Sequence, residues 1–423
     1  MAKITRVWAR EILDSRGIPT VEAGCQLDSG HVVSSAVPAG TSTGTHESLE
    51  LRDTTNARYL GKGVLQAVNN VNSVLGPAIV GMEATDQEGI DAKLKELDGT
   101  ENKTKYGANA ILSVSMAVCK AGSIASRQNL YVWVNFLAQR AGLKPSLRMP
   151  IPLFNMINGG LHGAGNLDFQ EFHVIPASSK TWAQSIQTGV EIYLTIGEAL
   201  ARRGAIHSVG NEGGYAPNLF TNADALEVLV EAIKQTKYAM GRDVFLGLDV
   251  AASTFFKDGE YVIRDKSSPM DETQMLEFYK TLNDQYKLAI LEDPFAEDEW
   301  ESWVKVNSLL SSQILIVGDD LLATNPKRVE KAIAEKACNS ILVKPNQIGT
   351  VTETLQVIKQ ARDANWKIVV SHRSGETNDS FIADFAVGVG AEYCKFGAPA
   401  RGERVAKYNR LSAIETELMR LRK

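Results

Sequence analysis

The second half of the chain holds five short apolar runs, each ending on a charged or metal-capable residue. They read Val244-Phe-Leu-Gly-Leu-Asp249, Leu288-Ala-Ile-Leu-Glu292, Ile314-Leu-Ile-Val-Gly-Asp319, Ile341-Leu-Val-Lys344 and Ile368-Val-Val-Ser-His372. Runs this short, separated by amphipathic stretches of helical length, suit parallel strands buried on both faces. Such strands close into a TIM-like (β/α) barrel, whose strand ends converge on one rim where the connecting loops build a site. Asp249, Glu292 and Asp319 then face a common centre, with Lys344 and His372 beside them. Three converging carboxylates repel one another unless a cation joins them. Oxygen donors select a hard divalent ion, most simply Mg²⁺. A lysine next to that ion is a candidate proton abstractor. One such run alone is an ordinary core strand ending in a solvated charge; five in register are not.

The rest of the chain fits around that barrel. With 423 residues, 44% of them hydrophobic, it can bury a large core and is too long for one small domain. Charges are mixed, 45 Lys+Arg against 50 Asp+Glu, which argues against a nucleic-acid-binding surface. Cys25, Cys119, Cys338 and Cys394 lack metal-type spacing and lie in or beside apolar stretches, as reduced core residues of a cytoplasmic protein do. No export signal is expected in Met1-Ala-Lys-Ile-Thr-Arg6, and no apolar segment is expected to reach membrane-spanning length. Residues 1–140 open with strand-like runs (Ile4 to Ile12, Thr20 to Leu27, His31 to Val37), followed by helical patterns at Gln87 to Leu97 and Asn109 to Ser126. That order predicts a small α+β domain. Residues 141–423 form the α/β barrel domain, which ends in a charged amphipathic helix from Arg404.

Several stretches resemble the enolase family, over essentially the whole chain. They include Arg10-Glu-Ile-Leu-Asp-Ser-Arg-Gly17, Ser42-Thr-Gly44, Asp98-Gly-Thr-Glu-Asn-Lys103, Asn158-Gly-Gly160 with His162, and Gln170-Glu-Phe172. Glu212-Gly-Gly214, Leu291-Glu-Asp-Pro-Phe-Ala-Glu-Asp298, Lys344-Pro-Asn-Gln-Ile-Gly-Thr350, Ser371-His-Arg-Ser-Gly-Glu-Thr377 and Lys395-Phe-Gly-Ala-Pro399 follow in order. The resemblance implies reversible dehydration of 2-phosphoglycerate to phosphoenolpyruvate with two Mg²⁺ per active site, one of them conditional on substrate. It places Asp249, Glu292 and Asp319 on the first ion, and Ser42, on the loop from Pro38 to His46, on the second. Lys344 is the base, kept neutral by the adjacent cations, and Glu212 is the acid, supported by Glu171. Arg373 and Ser374 suit the phosphate, Lys395 the substrate carboxylate, and His162 and His372 the phosphate and hydroxyl. His31, His46, His173 and His207 carry no catalytic expectation. A homodimer is implied through Arg10 and Glu191. The alternatives are a catalytically weak binding protein on the same scaffold, a surface or secreted pool binding plasminogen through the terminal Lys423, or another proton abstraction of the superfamily.

The chain departs from the family pattern near the site. Ala39 and Thr41 stand where the family usually has Ser and Ala, Ile18 where it has Asn, and Thr254 where it has Glu. Asn211 replaces an Asp just before Glu212. Losing that negative neighbour lowers the pKa of Glu212, and an amide hydrogen bond from Asn211 acts in the same direction. None of these changes removes a metal ligand or the base.

Overall fold

The computed structural model describes residues 2–421 apart from 42, 43, 56 and 164. An antiparallel meander of β1 (Ile4–Leu13), β2 (Pro19–Leu27) and β3 (Val32–Ala36) opens the chain. Its first turn is built by Asp14, whose carboxylate accepts from the backbone N–H groups of Arg16 (2.8 Å) and Ile18 (3.0 Å), while Gly17 takes the positive φ the turn needs. Val21, Ala23 and Cys25 alternate on the inner face of β2 and meet the helix Ala108–Ala125.

That helix explains an expectation that fails. At 18 residues it is long and apolar enough to cross a membrane, contrary to the reading of the sequence, yet its side chains lie buried within the protein. Ile111, Val114 and Val118 enter the core of the N-terminal domain, whereas Leu112, Met116 and Cys119 enter the large core continuous with the barrel helices. A helix packed on two faces is apolar nearly all round.

The second sheet has the strand order β4-β14-β13-β12-β11-β10-β7-β6-β5. Its members are β4 (Ile151–Pro152), β5 (Phe154–Asn158), β6 (Glu171–Pro176), β7 (Val244–Asp249), β10 (Leu288–Glu292), β11 (Leu315–Gly318), β12 (Ser340–Val343), β13 (Lys367–Ser371) and β14 (Tyr393–Lys395). A two-strand hairpin, β8 (Phe256–Lys257) with β9 (Glu260–Tyr261), lies outside it. The two end strands β4 and β5 are separated by Leu153 alone, whose N–H donates to Cys394 O at 2.8 Å. The sheet therefore closes on itself, and the barrel has no free edge. From β7 to β14 and on to β4 the strands are parallel, but β5/β6 and β6/β7 are antiparallel. Simple strand–helix alternation thus begins only after β6, because a hairpin supplies the first two staves.

The period of two along each strand decides where the site lies. Leu153, Ile175, Ile290, Val317, Leu342 and Val369 form one cluster inside the barrel, flanked by Phe245 and Tyr393. Two residues further toward the rim from Ile290, Val317, Leu342, Val369 and Tyr393 come Glu292, Asp319, Lys344, Ser371 and Lys395. From Leu153 the same step reaches Asn155, from Phe245 two steps reach Asp249, and from Ile175 two steps back reach His173 and then Glu171. An apolar plug fills the lower barrel, and the next inward layers are polar.

Candidate active site

Three strand ends supply the carboxylates. Register pairs Asp249 with Glu292 across β7/β10 and with Glu171 across β6/β7. Glu171 begins its strand rather than ending one; the reversed direction of β6 brings its first residue to the rim. The ammonium of Lys395 sits among all three, 2.8 Å from Asp249 Oδ2, 2.9 Å from Glu292 Oε1 and 3.3 Å from Glu171 Oε2. Burial disfavours its charge, but Asp249, Glu171 and Glu292 hold its pKa well above the lysine range. Glu292 moves upward too, because burial and the repulsion of Asp249 outweigh Lys395. The cluster holds more negative charge than one ammonium balances.

Lys344 caps the short helix Pro345–Ile348 and pairs with Asp319 Oδ2. Gln347 Nε2 donates to the other carboxylate oxygen at 3.0 Å, and the Lys344 N–H donates to Thr324 Oγ1 at 3.1 Å. The pKa of Lys344 is raised: burial, Arg373 and Lys395 lower it, but Asp319 and Glu47 prevail.

Glu212 faces the cluster from the loop after the helix Trp182–Arg202. Its Oε2 accepts from Asn155 Nδ2 at 3.1 Å and lies 3.1 Å from His372 Nε2, while Oε1 lies 3.5 Å from His162 Nδ1. Burial and Glu171 push its pKa up, yet His372 and His162 overcome them and hold the carboxyl below its usual range. The donors to Glu212 are therefore Asn155 and His372, and the Asn211 amide does not have the role expected of it. Asn211 contributes its carbonyl, which accepts from Arg404 Nη2 at 3.0 Å.

Arg373 and Ser374 follow β13 on the same rim. The Arg373 guanidinium is bidentate on Glu47, at 2.8 and 3.1 Å, and reaches Asn346 Oδ1 at 3.2 Å. Ser374 Oγ accepts from the Thr41 N–H at 3.1 Å, and Thr41 Oγ1 accepts from Arg16 at 2.6 Å. Ala39 pairs with Gly375 through two backbone bonds of 2.8 Å, so the lost hydroxyl at 39 leaves this docking strand intact. Thr254 Oγ1 bonds Ala251 O at 2.8 Å and closes its own turn. Ser42 lies outside the described residues, as does Lys423.

One histidine that carries no catalytic expectation touches the site. His173 is fully buried with Nε2 2.9 Å from Glu171 Oε2. The signal was present, since residues two apart on a strand share a face. Arg404 was also missed: it lies on the buried side of the helix Gly402–Leu421, which the sequence predicts as charged and amphipathic without placing an arginine on its inner face.

Glu292, Asp293 and Asp319 offer oxygen atoms within 4.8 Å of one another. Asp293, however, is occupied as an acceptor for the N–H groups of Asp319 (3.0 Å) and Asp320 (2.8 Å). The oxygen-only donors, the charge surplus and the buried His162 Nε2 and Gln170 Oε1 without hydrogen-bond partners fit a site completed by a hard cation and a polar ligand. Acidic strand ends gathered around a lysine on the rim of a (β/α) barrel define the class, a barrel with a candidate enzyme active site at its strand ends. The family profile "Enolase, C-terminal TIM barrel domain" matches residues 146–422, and "Enolase, N-terminal domain" matches residues 4–134. The chain belongs to the enolase family.

Proposed function

We propose that the protein catalyses the Mg²⁺-dependent, reversible dehydration of 2-phosphoglycerate to phosphoenolpyruvate, the glycolytic step, as a cytoplasmic homodimer. The observation that carries this reading is the separation of two proton-handling groups on one rim. Lys344 belongs to the Asp319–Gln347 network, and Glu212 to the Asn155–His372–His162 network. Asp249, Glu292 and Asp319 would hold one ion, and the Ser42 loop with substrate phosphate a second. Bound Mg²⁺ supplies stabilisation for the second negative charge that develops on the substrate carboxylate when its α-proton leaves.

This chain's residues do the rest. Lys344 Nζ, once its pairing with Asp319 is relieved and its ammonium has lost a proton to solvent, takes the C2 proton as the neutral amine. Lys395, flanked by carboxylates, attracts the substrate carboxylate. Arg373 gives a planar donor pair to the phosphate in place of Glu47. Glu212 rests ionised and takes up a proton as the negatively charged substrate settles, then passes it to the departing 3-hydroxyl. Arg10 pairs with Glu22 (2.6 Å), and Glu191 with Lys237 (3.2 Å), within the chain, so a dimer bridged by Arg10 and Glu191 would exchange these partners. Ultraviolet absorbance of phosphoenolpyruvate formed from 2-phosphoglycerate tests the reading. No product with Mg²⁺ present would end it.

A further inference from the structure

The side chain of Arg404 is wholly buried behind the rim, and its hydrogen bonds all go to residues that build it. Nη1 lies 2.7 Å from His372 Nδ1 and donates to Arg373 O at 2.6 Å. Nη2 donates to Asn211 O at 3.0 Å and also to Ser374 O. Gly397 leaves space for this approach: an added Cβ would stand 3.0 Å from His372 Cε1 and 3.1 Å from Arg404 Cδ.

A guanidinium has five donors, no acceptor, and does not lose its proton in proteins. The His372 Nδ1 that faces it must therefore accept. A neutral ring then carries its proton on Nε2, which lies 3.1 Å from Glu212 Oε2. The hydrogen bonds run one way, from Arg404 through His372 to Glu212. We propose that Arg404 is a positioning residue that locks His372 as the neutral Nε2–H tautomer, a fixed donor toward Glu212 and the hydroxyl that Glu212 serves. The part concerning the hydroxyl rests on the function proposed above; the tautomer does not.

The charged groups facing the ring set the alternative. Glu212 and Glu376 attract a second proton to His372, whereas burial and Arg404 oppose it, and the balance keeps the ring pKa below the usual histidine value. Without Arg404 the cation at Nδ1 is gone, while Glu212 still faces Nε2 at 3.1 Å and Glu376 stays paired with Lys407 at 2.8 Å. An imidazolium would then form an ion pair with Glu212 and hold it ionised when it should carry a proton.

The test uses the full chain, ¹⁵N-labelled at histidine, without substrate. The His372 ring signals are assigned by their loss in His372→Gln. In the wild-type protein His372 is expected to show protonated Nε2, bare Nδ1 and no titration between about pH 5.5 and 8. In Arg404→Gln the ring should gain a titration with midpoint at about pH 6.5 or above. A wild-type ring protonated on Nδ1, or on both nitrogens at neutral pH, overturns the proposal even if the variant does not fold. So does an Arg404→Gln ring that keeps the wild-type tautomer and stays silent. Because these spectra need no turnover, loss of the proposed dehydration activity would leave the tautomer result standing.

Discussion

At the scale of single residues, the site separates into a base and an acid, and their roles can be pulled apart. Lys344→Ala is expected to abolish exchange of the substrate C2 proton with solvent, because Lys344 is the lysine paired with Asp319, whereas Lys395 is bonded to Asp249 and Glu292. Glu212→Gln is expected to keep exchange and block dehydration. Isotope exchange followed by mass spectrometry alongside product absorbance reads both, and equal loss of exchange with substrate still bound would reverse the assignment. Asp249→Ala, Glu292→Ala and Asp319→Ala should each weaken Mg²⁺ binding in a calorimetric titration and remove most turnover, since each deletes a buried oxygen donor. Asn211→Asp is now expected to shift the alkaline limb of the pH–rate profile upward only slightly, by less than about half a unit. Glu212 takes its bonds from Asn155 and His372, and these dominate a charge placed on residue 211. A shift of a full unit would restore the larger role first expected of that position.

At the scale of elements, the joint between the two domains is polar as well as apolar. Asp379 accepts from Ser35 Oγ (2.8 Å) and Ala36 N (2.9 Å) on β3, from Lys120 Nζ (2.8 Å), and from Phe381 N (2.8 Å) at the start of a barrel helix. Burial raises its pKa, but Lys120 and the backbone donors hold it below the aspartate range. The folded carboxylate therefore binds fewer protons than the unfolded one. Its stabilisation is present above the ordinary aspartate pKa of about 3.9 and disappears as pH falls through the lower folded value. Asp379→Asn should cost about 2 kcal/mol at neutral pH, within the usual range for hydrogen bonds to a charged group. Urea denaturation at pH 7 measures this, and the difference from wild type should narrow as pH falls below about 4. A difference that grew toward acid would refute the account.

At the scale of the whole molecule, ion binding should reinforce the fold, because the rim carboxylates come from strands far apart in sequence. Mg²⁺ at a hundred times its Kd is expected to stabilise the protein by about 2.7 kcal/mol. Thermal denaturation with Mg²⁺ and with chelator checks it; coincident curves would mean that the folded rim holds no ion. Much of this molecule was legible beforehand. Asp249, Glu292, Asp319 and Lys344 stand out because a buried parallel strand is a continuous apolar run, and the residue that ends it on the inward phase can only face the rim. Glu212, Arg373 and Lys395 entered through the resemblance, for a loop residue or a three-residue strand such as Tyr393–Lys395 leaves no periodic trace. What the tertiary structure alone decided depends on direction and docking. Reversal of β6 carries Glu171 and His173 to the rim, and closure at Leu153 sets Asn155 beside Glu212. Packing of the last helix buries Arg404 behind His372. Local sequence dictates strand, helix and turn through side-chain period and backbone preference; which way a strand runs, and which distant groups then share one proton, follows only when the sheet has closed.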